Sequence, residues 1–176
     1  MERVEIVAGD IFKSQSDVVV YVTNTVLAGG TDGSGILWEK TKQSEQPNAL
    51  PEGQAVVLPN KGMTGQQFIC ASGPQWTGGK GNEVKALAES YRLCFQAVKE
   101  QGVQTFDVPS IPTGIYDSQL FQVATIVLRE LDALLKSNPV LKNVRIVCQD
   151  EASVKSYMQA YNFWFAVEKE DRMKFD

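Results

Sequence analysis

The sequence predicts a three-layer α/β/α sandwich with a mixed, mostly parallel central sheet. Six short runs rich in β-branched residues are separated by longer segments in which apolar residues recur at helical spacing. Strands joined by helix-length crossovers favour parallel pairing, because parallel neighbours need a connection of a dozen residues or more. The short link between Leu58 and Phe68 favours an antiparallel pair at that point.

Each predicted strand is a compact apolar run. The run from Val18 to Val22 has no polar alternation, which is typical of a central strand covered on both faces. The other five predicted strands are Val4–Val7, Ala55–Leu58, Phe68–Ala71, Thr105–Val108 and Val144–Cys148.

The first long helix is predicted over Glu83–Gln101. Asn82 is expected to be its N-cap, and Gly102 to end it, because glycine readily adopts the left-handed conformation that terminates helices. Its inward stripe is expected to contain Val84, Leu87, Ala88, Tyr91, Phe95 and Val98.

Two further long helices and one short helix complete the prediction. Asp117 or Ser118 is expected to cap a helix that runs to about Lys136, and Asp150 to cap the last one. The expected inward residues are Leu120, Ala124, Val127, Leu128, Leu131 and Leu135 in the former, and Val154, Tyr157, Met158 and Tyr161 in the latter. The short helix is expected from about Asp32 to Thr41.

Length and charge limit the classes of function. The 176 residues suit one domain, predicted to span residues 1–176. No apolar run approaches the roughly 20 residues of a membrane-spanning helix, and the first residues lack a secretory signal, so we expect an intracellular protein, cytoplasmic or nuclear, without a membrane partner. A net charge of −4 disfavours diffuse attraction to nucleic acid. A bound anion must therefore be held by local groups.

The residue types exclude several catalytic sites. The chain has no histidine, which rules out Ser-His-Asp and Cys-His catalysis and His-ligated metal sites. Cys70, Cys94 and Cys148 are far apart in apolar surroundings and form no CxxC pair, so we predict buried, inert thiols. We expect no metal site and no required cofactor.

Candidate binding residues follow the strands, at the sheet edge where ligands of open α/β folds collect. Glycine lets a backbone approach a ligand closely, and successive N–H groups at a helix start attract an anion. Taken singly, each glycine here is typical of a turn, but as a set they favour two loops that clasp a diphosphate. The spacing fits neither GxxxxGK[ST] nor GxGxxG, which disfavours a P-loop hydrolase and the ordinary dinucleotide site. The five glycines, in two loops that each follow a strand, are Gly29, Gly30, Gly33, Gly35 and Gly114.

Three polar or aromatic residues near these loops each have a structural and a binding interpretation. Asp10 could cap a short helix, or accept a hydrogen bond from an exocyclic amine such as that of adenine. Asn24 could tie down its loop, or bind a sugar hydroxyl or orient a water. Tyr116 could fill the core, or pack on a ribose.

Five motifs occur in an order and spacing shared with a known family: Gly9-Asp10-Ile11, Asp17-Val18-Val19-Val20, Thr23-Asn24, Gly29-Gly30 and Pro112-Thr113-Gly114-Ile115-Tyr116. In these motifs the sequence resembles the macrodomain family, and the match spans nearly the whole chain. Gln149-Asp150-Glu151 in addition resembles macrodomains attached to eukaryotic ADP-ribosyltransferases, and Thr23-Asn24-Thr25 resembles the histone-linked macrodomain.

The resemblance implies a pocket for ADP-ribose, free or attached to protein. By the family pattern, Asp10 binds the adenine amino group with the Ile11 backbone beside it, and Asn24 meets the distal ribose. Gln149 lies near the position of an adenine-stacking aromatic residue in some members. The backbone N–H groups of two loops hold the diphosphate, and these loops comprise Gly29, Gly30, Gly33, Ser34, Gly35 and Ile36, and Thr113, Gly114, Ile115 and Tyr116.

The sequence also departs from the family pattern. Tyr21 stands where the family often has an asparagine, and Thr31-Asp32 replace glycines of the phosphate loop. Ser34 occupies the place of an aspartate in many hydrolytic members, and Pro112 offers no N–H. A carboxylate at Asp32 would repel phosphate if it pointed inward.

Three hypotheses of function follow. The first is a reader that binds ADP-ribose and mono-ADP-ribosylated proteins as a monomeric domain, alone or within a longer chain. The second is an ADP-ribosyl hydrolase assisted by Asn24 and Asp32, with the substrate phosphate positioning the water. The third is a degenerate macrodomain that serves as a protein- or RNA-interaction scaffold.

Overall fold

A computed structural model describes residues 3–23, 53–59, 65–74, 78–80, 82–110 and 117–166. Its six strands form one sheet in the order β1-β6-β5-β2-β4-β3. The pairs β1–β6, β6–β5, β5–β2 and β2–β4 are parallel, and β4–β3 is antiparallel. The predicted mixed, mostly parallel sheet is therefore confirmed. The strands are β1 (Val4–Ala8), β2 (Val18–Thr23), β3 (Ala55–Pro59), β4 (Gln67–Ser72), β5 (Thr105–Pro109) and β6 (Asn143–Cys148).

Three long helices accompany the sheet, as predicted: α1 (Glu83–Gln101), α2 (Asp117–Ser137) and α3 (Glu151–Ala166). Gly102 ends α1 in the left-handed conformation, with φ of 64°. Asp150 caps α3 by accepting a hydrogen bond from the Ser153 N–H at 2.7 Å. Both of these helix boundaries follow from the local residue chemistry.

Asn82 stands at the predicted N-cap position of α1, and its carbonyl accepts the first hydrogen bond of the helix from the Ala86 N–H at 2.9 Å. Its side chain makes no cap bond, and its backbone angles are already helical. Glu83 Oε1 accepts a hydrogen bond from the Lys80 N–H at 2.9 Å, which ties the preceding turn to the first residue of the helix. The second helix begins at Asp117, and the side chain of its predicted cap, Asp117 or Ser118, lies outside what the structure describes.

All three helices pack on one face of the sheet and form the main core. Every predicted inward residue of α1 and α2 is buried except Val84, which is partly buried against the core. In α3 Tyr157 is fully buried, with Val154 and Tyr161 packed against the core. Met158 was predicted to face inward but is 42% exposed, because the buried face of α3 is centred on Ser153, Tyr157 and Ala160 and leaves Met158 outside it.

The opposite face of the sheet carries a smaller apolar cluster. Val19, Tyr21 and Val147 belong to it, together with Ile11 from a short 3-10 helix (Ile11–Lys13) between β1 and β2. Alternate strand residues point to opposite faces, so Val18 and Val20 pack beneath the helices while Val19 and Tyr21 lie here. The short helix predicted near Asp32 to Thr41 lies outside the described residues.

Across the part of the chain that the structure describes, none of the helices combines the length and the apolar character needed to cross a bilayer.

Candidate functional site

A cleft of about 270 Å³ lies at the carboxyl ends of three adjacent strands, β1, β6 and β5. This is the edge where the sequence placed its candidate binding residues. Three of those residues, Asp10, Ile11 and Gln149, line the same cleft although 138 or more positions separate the first two from the third. The complete lining is Gly9, Asp10, Ile11, Phe12, Pro109, Val147 and Gln149.

Asp10 stands at the N-terminus of the 3-10 helix and has extended backbone angles there. The Phe12 N–H donates a hydrogen bond to Asp10 Oδ1 at 2.9 Å, and the Lys13 N–H donates to the Asp10 carbonyl at 3.0 Å. The predicted capping role is thus confirmed. The capping bond uses one carboxylate oxygen, and Asp10 is exposed to solvent, so a ligand can still reach the carboxylate.

The base of the cleft is apolar and tied together by backbone bonds. Ile11 and Val147 are buried with 7% and 5% of their surface exposed. The Ser110 N–H donates to the Val147 carbonyl at 2.8 Å, and the Gly9 N–H donates to the Cys148 carbonyl at 2.9 Å. These bonds extend the β-ladder past the strand ends. The result is an apolar base with polar groups, Asp10 and Gln149, at the rim, which suits a flat heteroaromatic ring with polar edges.

The nearest thiol is chemically inert. Cys148 lies at the end of β6, fully buried, and desolvation raises its pKa to about 11, although a hydrogen bond with Ser110 opposes this effect. At neutral pH the thiol therefore stays protonated and is a poor nucleophile. The residues described by the structure contain no cluster of three His, Cys, Asp or Glu side chains that could hold a metal ion.

Most other candidate site residues lie outside the described residues. They are Asn24, Gly29, Gly30, Asp32, Gly33, Ser34, Gly35, Ile36, Thr113, Gly114, Ile115 and Tyr116. Their assignment to a distal ribose and a diphosphate stays a prediction. Tyr21, where the family often has asparagine, is buried in the smaller apolar cluster, so its side chain serves packing.

Sequence reasoning missed Phe12 and Val147 as cleft residues. Phe12 follows directly from the Asp10 cap, because the capped turn places the next residues beside the strand ends. Val147 is the last residue of β6 whose side chain points to the face of the smaller apolar cluster, and it lies two positions before Gln149. Strand alternation could have identified Val147, since residues i and i+2 share a face.

Comparison with known proteins gives a consistent picture. The family model of the Macro domain matches residues 30–127. O-acetyl-ADP-ribose deacetylase 1 of Pantoea vagans is 29% identical over 171 residues, covering 92% of this chain and 100% of that protein. A macro domain-containing protein of Lactiplantibacillus plantarum is 30% identical over 166 residues, covering 91% of this chain and 96% of that protein. A mutant Oceanobacillus iheyensis macrodomain with ADPR has a TM-score of 0.75 at 25% identity, covering 94% and 95%.

Proposed function

The chain belongs to the macro domain family, and from this membership we propose that it is a binding module for ADP-ribose whose adenine lies in the cleft beside Asp10. The proposal rests on one observation: Asp10, Ile11 and Gln149 line the same cleft at the strand ends. An Oceanobacillus iheyensis macrodomain of the same fold has been solved with ADPR, the abbreviation of ADP-ribose, which supports the choice of ligand.

The cleft offers complementary groups to an adenine edge. The exocyclic amine of adenine is a donor, and the Asp10 carboxylate is an acceptor whose Oδ1 already fixes the turn. The backbone N–H of Ile11 stands next to it and can donate to a ring nitrogen. The apolar base of Ile11 and Val147 contacts the ring face without requiring a stacked aromatic residue at Gln149.

The volume of the cleft limits how much of the ligand it holds. At about 270 Å³ the cleft is smaller than the roughly 300 to 1,000 Å³ typical of sites for whole drug-sized ligands. It therefore suits the adenine end. The diphosphate and distal ribose are assigned to the loops containing Gly29 to Ile36 and Thr113 to Tyr116, with Asn24 at the ribose. Their backbone N–H groups attract phosphate without a basic surface, in keeping with the net charge of −4.

The biological ligand in this proposal is ADP-ribose attached singly to a protein, read by a monomeric domain. The similarity of Gln149-Asp150-Glu151 to macrodomains attached to eukaryotic ADP-ribosyltransferases is a narrower hypothesis about subgroup. The bacterial relatives give that narrower hypothesis no support.

Titration calorimetry with ADP-ribose tests the binding proposal, and Asp10 variants locate the site. Asp10→Ala should raise the Kd about 10- to 100-fold, as expected when a charge-assisted hydrogen bond is lost. Asp10→Asn is the sharper variant, because its amide oxygen can still cap Phe12 while its NH₂ group cannot accept from the adenine amine. Glu100→Ala, on the exposed far side of α1, is the control.

Two results would contradict the proposal. One is an absence of heat with the wild-type protein at millimolar ADP-ribose. The other is an Asp10→Asn variant that binds with wild-type affinity, since that would remove Asp10 from the ligand.

A second candidate function is ester hydrolysis of an ADP-ribose derivative. The relatives from Pantoea vagans and Enterobacter carry the name O-acetyl-ADP-ribose deacetylase. In such a reaction water adds to the acetyl carbon, the ester C–O bond breaks, and the ribose hydroxyl leaves as acetate forms. With no histidine in the chain, Asn24 would orient the water, and Asp32 or the substrate phosphate would accept its proton.

Incubation with O-acetyl-ADP-ribose, and separately with a protein mono-ADP-ribosylated on glutamate, separates reader from hydrolase. Mass spectrometry follows the release of acetate or of ADP-ribose. Release of acetate or of ADP-ribose by the wild-type protein, lost in Asn24→Ala at a substrate concentration that saturates the variant, would establish the hydrolase. Substrate that stays intact in the presence of excess protein would exclude hydrolysis of these substrates and leave binding as the proposed function.

A further inference from the structure

An ion pair between buried Asp107 and Arg145, whose side chain is 38% exposed, lies two residues before the cleft-lining positions of its strands and on the same face of the sheet. Asp107 on β5 is fully buried and accepts hydrogen bonds from Arg145 on β6, at 3.0 Å from Nε and 2.5 Å from Nη2. The hydroxyl of Ser16 donates to Asp107 Oδ1 at 2.6 Å. We name Ser16, Asp107 and Arg145 the anchor triad.

Each member of the anchor triad belongs to a segment that also contributes to the cleft. Asp107 lies two residues before Pro109, and Arg145 two residues before Val147. Ser16 lies in the linker that leaves the 3-10 helix, three residues after Lys13. The triad therefore joins two of the three strands at the cleft, β5 and β6, to the segment that carries Asp10, Ile11 and Phe12.

The linker after the 3-10 helix is held by further polar contacts. The buried Gln66 side chain donates to the carbonyls of Ser14 and Ser16, at 3.1 and 2.9 Å. Asp17 Oδ2 accepts from the N–H groups of Gln104 and Thr105, both at 3.1 Å. The Gln66 contacts hold the linker to β4, and the Asp17 contacts hold the linker near the start of β5. Among these contacts, only that of Ser16 joins the linker to a charged side chain beneath the cleft, the Asp107 carboxylate.

The hydrogen bond from the Ser16 hydroxyl is strong and specific because its acceptor, the Asp107 carboxylate, is charged. A fully buried carboxylate needs every available donor, because a buried charge without partners is costly. Removing Arg145 would leave the buried Asp107 carboxylate without its charged partner and threaten folding, whereas removing the Ser16 hydroxyl leaves the bidentate pair intact. Ser16 is thus the position at which the anchor can be weakened without breaking the core.

We propose that the anchor triad is a positioning device: through Ser16 it holds the 3-10 helix so that Asp10 presents its carboxylate to adenine. This inference rests on the proposed function, and it assigns Ser16, Asp107 and Arg145 no contact with the ligand. Their effect on affinity passes through Asp10.

A double-mutant cycle tests the coupling. Ser16→Ala should raise the Kd for ADP-ribose about fivefold in the wild-type background, a coupling within the range seen for residues of one network. In the Asp10→Asn background the same substitution should change the Kd by less than about twofold, because the group that it positions no longer binds adenine. Ser16→Thr keeps the hydroxyl and should restore most of the affinity.

Hydrogen exchange gives a readout that needs no ligand. The Phe12 N–H, which donates to Asp10, should exchange faster in Ser16→Ala. Thr125→Ala is the matched control, because it removes a hydroxyl that donates to the Phe121 carbonyl on the exposed side of α2. It should alter neither the Phe12 exchange nor the Kd.

The outcomes separate the two proposals. In one outcome, the wild-type protein binds ADP-ribose and Ser16→Ala lowers the affinity equally in the wild-type and Asp10→Asn backgrounds. That result would overturn the positioning role and leave the proposed function standing. Unchanged exchange of the Phe12 N–H in Ser16→Ala would also overturn it. A wild-type protein that does not bind ADP-ribose would overturn both.

Discussion

The Asp10 carboxylate has two oxygens, and the turn uses one of them. Its Oδ1 accepts from the Phe12 N–H at 2.9 Å, and among the residues that the structure describes no hydrogen bond is made by Oδ2. Capping and ligand binding are therefore compatible functions of one side chain, although the sequence posed them as alternatives. The cap also fixes the rotamer of the carboxylate, so its second oxygen needs no reordering when a ligand arrives.

The three cysteines show how burial removes a residue from chemistry. Desolvation raises the pKa of Cys70 to about 12 and that of Cys148 to about 11, and it raises the pKa of Cys94 well above its ordinary value. All three are buried and unpaired by disulfides, as the sequence predicted. A hydrolytic activity, if the second candidate function holds, must therefore use water activated without a thiolate.

At the scale of elements, α3 has a side-chain cap at its N-terminus. The Ser153 N–H donates to Asp150 Oδ1 at 2.7 Å, and this bond lowers the pKa of the Asp150 carboxyl. Asp150→Ala should lower the free energy of unfolding by about 1 kcal/mol, whereas Asp150→Asn should retain most of it, because asparagine is a comparable N-cap. Urea denaturation at pH 7 measures both.

The pH dependence of the same variants has a defined sign. The carboxyl binds its proton less readily in the folded state, so its contribution is present above the unfolded pKa of 3.8 and is lost as the pH falls below that value. The stability difference between wild type and Asp150→Ala should therefore shrink between pH 5 and pH 3. A difference that stays constant over that range would contradict an ionised cap.

Periodicity predicted the elements well because packing on one sheet face imposes it. All six strands and the first two long helices lie within about two residues of their predicted bounds, and the third helix begins directly after its predicted cap, Asp150. The errors arose where periodicity carries no information. Asn82 occupies the predicted cap position but its side chain makes no cap bond, and Met158 is apolar but 42% exposed. Residue type alone could not distinguish a side chain that packs in the core from one that is exposed on the surface.

The candidate site divides in the same way. Asp10, Ile11 and Gln149 were predicted and meet in one cleft. The anchor triad was not predicted, because 91 positions separate Ser16 from Asp107 and 38 separate Asp107 from Arg145. Only the strand order and the register that sets Asp107 beside Arg145 bring them together. Without an alignment, no signal in one sequence identifies such a pairing.

At the scale of the whole molecule, a ligand held by β1, β5 and β6 should stabilise the fold. A ligand that binds only the native state at 100 times its Kd adds about 2.7 kcal/mol to the free energy of unfolding. For a domain of this size, we expect ADP-ribose to raise the Tm by about 5 to 10 °C. Differential scanning fluorimetry measures the shift, and Asp10→Asn should require a proportionally higher ligand concentration to reach it.

The salt dependence of that shift tests how an acidic protein holds an anion. With a net charge of −4, long-range attraction cannot supply the affinity, so hydrogen bonds at close range must. Screening acts beyond about 10 Å at 0.1 M salt and affects partly buried contacts much less. The Tm shift with ADP-ribose, taken relative to the ligand-free protein in the same buffer, should therefore persist at about 0.5 M NaCl. A shift that disappears there would indicate diffuse electrostatic binding, and the cleft would then not be the site that determines affinity.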